Sequence, residues 1–397
     1  MIFSLNRAKA PQKKRDSTLL CVLVGLIVAL AFSCTSPRSG VIVRGDSIII
    51  NLDSKANHLS LSHFVDSVSI VNLESTPKSI ISEASGIQKI LYIYGKYFIL
   101  DGKYMSIKVF GADGRYLYDI GKLGLGKAEF DRIENMEYDS LHNSLMVLCN
   151  RPSKLSEFAL DGRLIKESEL KFFSTAFAIG GPNSRIFYVN QNESDLSGKK
   201  NILFTDSLNE IKFSMFDFPS NIKSGVKFSG GLYSTNGQIF FNPAFSNTFY
   251  TLSNDTAKPL FVIDYKSKNV PKDIPEEKLR VNLSKYSFQY STFIKFDGYI
   301  GFNYRSDYVS SAFYNLKTHD ILTSDLQLDS LNFLFTNFMF QSEDFCIMTL
   351  DLRRLSAAMK YNQRSIKTRF PNVFSHINFE IPYPNPALLI FKLKSNF

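Results

Sequence analysis

The sequence predicts an all-β fold: a six-bladed β-propeller closed by an N-terminal strand, with a small helical insertion in the last blade. Three observations predict it. Two stretches 48 residues apart repeat each other, Ile107-Lys108-Val109-Phe110-Gly111-Ala112-Asp113-Gly114-Arg115-Tyr116-Leu117 and Leu155-Ser156-Glu157-Phe158-Ala159-Leu160-Asp161-Gly162-Arg163-Leu164-Ile165. Each has a run with alternate apolar positions, a turn carrying Asp-Gly-Arg, and a second run, which is a β-hairpin signature. Recurrence at roughly 40–50 residues points to a radial array of four-stranded sheets. Strand-turn units then continue to the C-terminus, six in all, and a further strand-like run upstream of the first unit is available to complete the last.

The elements follow in order. Residues 1–33 read as a lipoprotein signal peptide. A basic n-region ends at Arg15, and an apolar h-region runs over 19–32. That h-region is short against the roughly 20 residues a bilayer requires. It closes in Leu30-Ala31-Phe32-Ser33-Cys34, which resembles a bacterial lipobox. Cys34 is therefore the expected lipidation residue, and acyl chains rather than a protein segment would hold the chain to the membrane. The alternative is a cleaved secretory signal, or an uncleaved anchor with an incidental cysteine. Residues 34–62 read as a tether with one strand-like run, 47–52.

Residues 63–397 read as the propeller. The alternating run 65–74 stops at Thr76-Pro77 and is a strand. The units cover 87–121, 133–170, 177–218, 227–264, 288–326 and a sixth from Phe333, which ends in the apolar run 387–393. A Pro/Lys-rich break, 266–278, precedes the fifth. Within the sixth, Leu352, Leu355, Ala358 and Met359 recur at helical spacing, so the insertion at about 351–380 holds one amphipathic helix. Six units leave the last sheet one strand short, and the 65–74 strand completes it, removing an exposed edge and joining the two ends of the chain.

Composition narrows the function classes. A hydrophobic content of 44%, with 36 Phe and 19 Tyr, supplies a core and argues against disorder. Of the formal charge of +9, +4 falls in the first sixteen residues, and no dense Lys/Arg run remains in the rest. The electrostatic footprint of a nucleic-acid partner is absent. Cys149 and Cys346 lie in apolar strand-like runs and read as buried small hydrophobes, their pairing left open by the sequence.

The chain resembles the six-bladed β-propeller lipoproteins of Bacteroidetes, an NHL-like propeller family, over about residues 60–397. The resemblance rests on Val65-Asp66-Ser67-Val68-Ser69-Ile70-Val71-Asn72-Leu73-Glu74, on Phe98-Ile99-Leu100-Asp101, and on Val109 to Arg115. It rests also on the loop Gly121-Lys122-Leu123-Gly124-Leu125-Gly126-Lys127-Ala128-Glu129-Phe130, where Lys127 and Ala128 stand for the family's Pro-Gly, and on Asn385-Pro386-Ala387-Leu388 near the end. It implies the fold and an envelope location, and it carries no agreed activity. In related lipoproteins an acidic run after the cysteine signals surface display. Here Thr35-Ser36-Pro37-Arg38 follows, so the periplasmic face of the outer membrane is expected, with the cell surface as the alternative.

Few motifs carry chemistry. The loop from Gly121 to Lys127 approaches a phosphate-binding P-loop but has Ala128 where Ser or Thr would ligate magnesium, and no helix pattern follows. As a propeller element it crosses between blades and ends near the channel mouth, so Glu129, Phe130 and Arg132 are the expected ligand-facing residues. The competing reading is that the glycines permit a tight crossing while Glu129 caps loop amides. His58, His63, His142, His319 and His376 show no metal-ligand spacing. No cofactor is predicted; calcium enters only if the channel houses a metal-dependent hydrolase or lyase, the alternative to a binding scaffold. Asp-(Ser/Thr)-aliphatic triplets at Ser47, Ser67, Ser140, Ser207, Thr256 and Ser330 resemble the O-glycosylation acceptor of Bacteroidetes envelope proteins, and are also ordinary turn chemistry. The aromatic series Tyr286, Phe288, Tyr290, Phe293, Phe296, Tyr299, Phe302 and Tyr304 suits blade packing or sugar stacking. The resulting expectation is a lipid-anchored scaffold for a peptide, protein or glycan, with no catalytic residue assigned and function carried by loops at one mouth of the channel.

Overall fold

The computed structural model describes residues 38–52, 65–83, 86–220, 230–235, 237–296, 298–307, 309–325, 335–342, 345–352 and 385–394. Among them, six antiparallel sheets form the blades. Blade 1 is Ile87–Ile93, Lys96–Asp101, Ser106–Gly111 and Tyr116–Ile120; blade 2 is Arg132–Asp139, Ser144–Arg151, Ser153–Ala159 and Leu164–Glu169. Blade 3 is Ala176–Gly181, Ser184–Tyr188, Lys200–Asp206 and Ile211–Asp217; blade 4 is Gly231–Thr235, Gln238–Asn242, Thr248–Ser253 and Thr256–Asp264. Blade 5 is Phe288–Lys295, Tyr299–Arg305, Val309–Asn315 and Ile321–Asp325. Blade 6 takes Phe335–Ser342, Phe345–Leu350 and Ala387–Leu393 from the C-terminal part and Val65–Asn72 from the N-terminal part. The first strand of each blade lies beside the first strand of the next, and that of blade 6 returns to that of blade 1, so the ring is closed.

The closing strand pairs antiparallel with Ala387–Leu393, with Leu389 opposite Ile70. The predicted strand and its role are thus borne out, and so are the all-β class and the six blades.

Burial explains why the sequence reads as it does. Every second strand is enclosed between neighbouring blades, so its residues bury in both directions and give short continuous apolar runs such as Tyr97-Phe98-Ile99-Leu100. Phe98 and Leu100 point into a core shared with blade 2, which supplies Ile133, Met136, Val147 and Phe158. Tyr97 and Ile99 point the other way, into a core shared with Ile347 and Leu388 of blade 6. The remaining blade pairs are sealed in the same manner, for instance by Phe249, Phe261 and Phe293 between blades 4 and 5. Phe288, Phe293, Tyr299 and Phe302 are buried, so those members of the aromatic series pack the blade rather than offer a sugar platform.

Two features go beyond what the sequence shows, and the cysteines, expected to be buried, settle the pairing it left open. The 41–52 segment lies along blade 4. Val41–Ile42 and then Ile48–Asn51 pair in parallel with the outermost strand, and Ile50 is buried in the core between blades 4 and 5. The break between blades 4 and 5 contains a short helix, Glu276–Val281, whose Leu279 packs with Phe245, Ile274 and Phe288. Cys149 and Cys346 are free thiols buried in blades 2 and 6. The predicted insertion falls almost wholly on 353–384, outside the described residues, as do Cys34, His58, His63, Ser330 and His376. Among the described residues no helix is long and apolar enough to cross a membrane.

Candidate functional site

An antiparallel meander places the first-to-second and third-to-fourth turns of every blade on one face of the ring. The second-to-third connections and the crossings between blades lie on the other. The first face is made of short turns, such as Tyr94-Gly95 and Ala112 to Arg115. The second carries the longer segments: 121–131, 170–175, 189–199 and 265–287. Loops on a rigid scaffold are where binding residues concentrate, so this long-loop face is the candidate.

The channel itself is occupied by protein groups. At the short-turn end, the Gln341 side chain of blade 6 accepts from Thr235 Oγ1 of blade 4 and from the Lys295 amide of blade 5 at 2.9 Å, and donates to the Lys295 carbonyl at 2.7 Å. Ser342 Oγ donates to Tyr92 O of blade 1 at 3.3 Å. Further in, Lys89 of blade 1 forms an ion pair with Glu137 of blade 2. Burial holds the Glu137 carboxyl above the usual carboxylate range, against the pull of that ammonium. Among the described residues, no three His, Cys, Asp or Glu side chains gather as metal ligands. His142 Nδ1 is 2.8 Å from Asp139 Oδ2 within one turn, and His319 Nδ1 is 2.6 Å from Tyr314 Oη.

The 121–131 crossing is built as its competing reading expected. Its two limbs pair in parallel, Lys122 with Glu129 and Leu123 with Phe130. Glu129 Oε2 accepts the Gly126 amide at 2.8 Å, and Glu129 Oε1 is 3.0 Å from Lys122 Nζ. Those bonds, from the amide first and the ammonium second, hold the Glu129 carboxyl below its ordinary range. Phe130 is 0% exposed and meets Phe158 edge-on at 5.8 Å. Gly121, at φ +67°, sits on the Phe130 ring, where any side chain would overlap it. Phe130 therefore anchors the loop to the core instead of facing a ligand. Arg132 is exposed and paired with Glu134.

A second anchor comes from blade 2. Lys154 is nearly buried, and its Nζ donates to Gly126 O at 2.8 Å and to Glu167 Oε1 at 2.6 Å. Glu167 also accepts from Ser156 Oγ at 3.0 Å and from the Ala128 amide at 3.2 Å. Burial works to raise the Glu167 carboxyl, but the Lys154 ammonium and the Ser156 hydroxyl overcome it and leave it below the usual range. Ala128 adopts φ +53°, a left-handed conformation that costs a residue with a Cβ about 1–2 kcal/mol. It occupies the position at which the resembled loop has glycine. Ala128→Gly is expected to stabilise the protein by about 0.5–1 kcal/mol, the relief of that strain less the added chain entropy and a lost methyl contact. A urea midpoint unchanged or lowered would contradict it.

Ser153, next to Lys154, holds the neighbouring crossing: its hydroxyl donates to Phe172 O at 3.0 Å, and its carbonyl accepts the Leu170 amide at 3.0 Å. Two consecutive residues thus tie loops 121–131 and 170–175 to the same strand end. Immediately beside the tie points stand the exposed side chains Leu123, Leu125 and Phe173. Two ion pairs lie nearby, Arg151 with Asp131 at 2.9 Å and Arg132 with Glu134. The sequence gives no sign of these exposed side chains because the loops that carry them are 48 residues apart and are fixed by different residues of one strand, Lys154 and Ser153.

The proposed modification sites that are described all lie on the blade surfaces. Ser140 and Ser207 occupy short turns in which Asp139 and Asp206 accept the Leu141 and Leu208 amides at 3.0 and 2.9 Å. Thr256 Oγ1 donates to Ser253 O at 2.8 Å. Ser47 lies just before the strand on blade 4, and Ser67 is exposed on the closing strand.

A family model described as "Domain of unknown function (DUF4934)" matches residues 47–392. A crystal structure of a protein described as exported, from Bacteroides fragilis, superposes with a TM-score of 0.73 at 16% identity, covering 87% of this chain and 99% of that one. A member of the DUF4221 family from Bacteroides vulgatus superposes with a TM-score of 0.52 at 10% identity, covering 83% and 97%. At these identities the likeness is one of fold. No curated protein matches the chain.

Proposed function

The chain belongs to the DUF4934 family, and from that premise we propose that it is a lipid-anchored envelope scaffold that binds a protein or peptide segment at its long-loop face. The observation that carries this reading is the set of exposed apolar side chains Leu123, Leu125 and Phe173 on two consecutive crossings, both tied to the start of one strand of blade 2. Exposed apolar side chains clustered on a fixed surface and surrounded by polar groups are what a partner's apolar residues recognise. Binding is the reading we favour because several ionisable groups on these two crossings serve the scaffold. Glu129 serves the Gly126 amide, Lys154 and Glu167 serve each other, and Arg151 and Arg132 each hold a carboxylate. Cys34 supplies the anchor, and the acyl chains keep the scaffold at the membrane.

A photoreactive phenylalanine analogue placed at Leu125 or Phe173 in living cells is expected to give a discrete protein adduct, and the same analogue at exposed Ile165 on the blade rim is expected to give none. Adding Leu123→Ser to the Leu125 probe, on the same loop, should cut adduct yield by about tenfold or more, as truncation at a binding hot spot does. Equal labelling from the rim and the mouth, or no adduct from either mouth position, would refute the assignment.

A further inference from the structure

The chain first meets the ring in the short strand ending at Ser39, which pairs with the outer strand of blade 3, and continues as the 41–52 segment on blade 4. This segment runs parallel to the outermost strand of blade 4, which starts at a short turn and ends at the long-loop face. Its first residues therefore lie at the short-turn end. The Gly40 amide donates to Ser214 O at 3.0 Å, and the Val41 amide donates to Asp255 O, in the short turn of blade 4, at 2.8 Å. The fit is close: a Cβ on Gly40 would come within 2.7 Å of that same Asp255 oxygen. Cys34 precedes Gly40 by six residues, so full extension keeps it within ~20 Å of this point.

The same face displays large apolar side chains at turn tips of successive blades. Tyr94 of blade 1 is 75% exposed, Leu141 of blade 2 is 62% exposed and Leu208 of blade 3 is 70% exposed. At blade 4 the series is continued by Val41, Ile42 and Val43, beside the exit itself. Scattered exposed apolar residues need no explanation. These share one face, and Val41 enters blade 4 from that face; the long-loop face exposes Leu123, Leu125, Phe173, Leu196 and Val281 too, so the entry point decides between the two.

We propose that the short-turn face is the membrane-facing side of the molecule, with Tyr94, Leu141, Leu208 and the 41–43 run seated at the headgroup level and the long-loop mouth directed away from the lipid. The proposal rests on the reading of Cys34 as the acylated residue. Acyl chains hold the protein at the surface, and apolar tips entering the boundary region set its orientation. The consequence for function is direct: the Leu123, Leu125 and Phe173 side chains stay open to a partner.

The test uses the full-length lipidated protein in phosphatidylethanolamine/phosphatidylglycerol vesicles that carry a spin-labelled lipid as quencher. A fluorophore is attached to one introduced cysteine at a time, Leu141→Cys, Leu208→Cys, Leu125→Cys or Phe173→Cys. Buried Cys149 and Cys346 are protected from the label. Quenching several-fold stronger at 141 and 208 than at 125 and 173 is the expected result. Equal quenching, or the reverse order, overturns the proposal. Intact mass reads the anchor separately. A bare Cys34 would end the anchor reading, and the same labels on a chain tethered at position 34 through a hexahistidine segment to nickel-chelating lipid would then decide the face by the same criterion.

Discussion

Asn385→Ala is expected to cost about 4 kcal/mol of folding stability, a large share of what a domain has. Asn385 is 1% exposed and stands just before the last strand of the chain. Its Oδ1 accepts the Ile81 amide at 2.9 Å, and its Nδ2 donates to Glu74 O at 2.7 Å and to Ser79 O at 2.9 Å. Its own amide donates to Ser75 Oγ at 2.8 Å. One side chain thus satisfies three backbone groups in the segment that leaves the closing strand for blade 1. Alanine would leave the Ile81 N–H and the Ser79 C=O without this partner, at about 1–3 kcal/mol for each group that stays buried and unsatisfied, while Glu74 O keeps the Ser79 hydroxyl at 2.7 Å. The loss should appear as a lower urea midpoint at unchanged m, because compactness is not altered. Asn385→Asp is a sharper control. It keeps an acceptor for Ile81 but sets a carboxylate against two carbonyl oxygens, and it should be no better than alanine. A loss below about 1 kcal/mol for Asn385→Ala would show that the two ends are held by strand pairing alone.

That site illustrates how much of the molecule was legible in its residues. The ring was legible because each blade must bury both faces of its sheet, which imposes apolar runs at a repeated spacing, and because turns between strands have their own chemistry. The closing strand was legible because an alternating run upstream had no partner of its own. The dock of 41–52 on blade 4 was not, since it is made of backbone pairing and two buried side chains, Ile50 and Leu52, about 200 residues from their partner strand. The helix Glu276–Val281 was not, because six residues are too few to establish a helical period. At the site, Glu129 was foreseen both as a ligand residue and as a cap, and the Gly126 amide and Lys122 make it a cap. A phenylalanine beside it gave no sign of direction until Gly121 was seen to lie on its ring. The exposed side chains of the two crossings are set by loops tied to Ser153 and to Lys154, a long-range fact that no local pattern encodes.

The two Asp-Gly-Arg turns look equivalent in sequence, yet their glycines should respond very differently to alanine. In each, the aspartate accepts the amide two residues on, Arg115 from Asp113 and Arg163 from Asp161, both at 3.0 Å, and the glycine is left-handed, at φ +83° and +91°. Each turn also rests on the outer strand of the preceding blade. Gly162 faces the end of blade 1's outer strand, where a Cβ would lie 3.3 Å from Asp119 O, and Leu160 O accepts from the Tyr118 hydroxyl. Blade 3 repeats the arrangement with Asn209, left-handed at φ +64°, donating to Ser168 Oγ at 2.8 Å. For blade 1 the preceding outer strand is the closing strand. A Cβ on Gly114 would overlap the Asn72 carbonyl, with the carbon at 2.9 Å and the oxygen nearer still, while Gly114 O accepts the Glu74 amide at 2.9 Å. Gly162→Ala carries the conformational strain, about 1–2 kcal/mol, and a tight contact with Asp119 O that a small shift relieves. Gly114→Ala adds a clash of backbone with backbone, which no rotamer relieves, and is expected to cost roughly 3–5 kcal/mol, at the upper end for single substitutions. Paired urea titrations of the two variants give the comparison directly. Equal losses would mean that the closing strand can retreat from the turn without cost, and the N-terminal strand would then be an accessory to the ring; a Gly114→Ala loss at least about 1.5 kcal/mol larger identifies the ring closure as part of the cooperative fold.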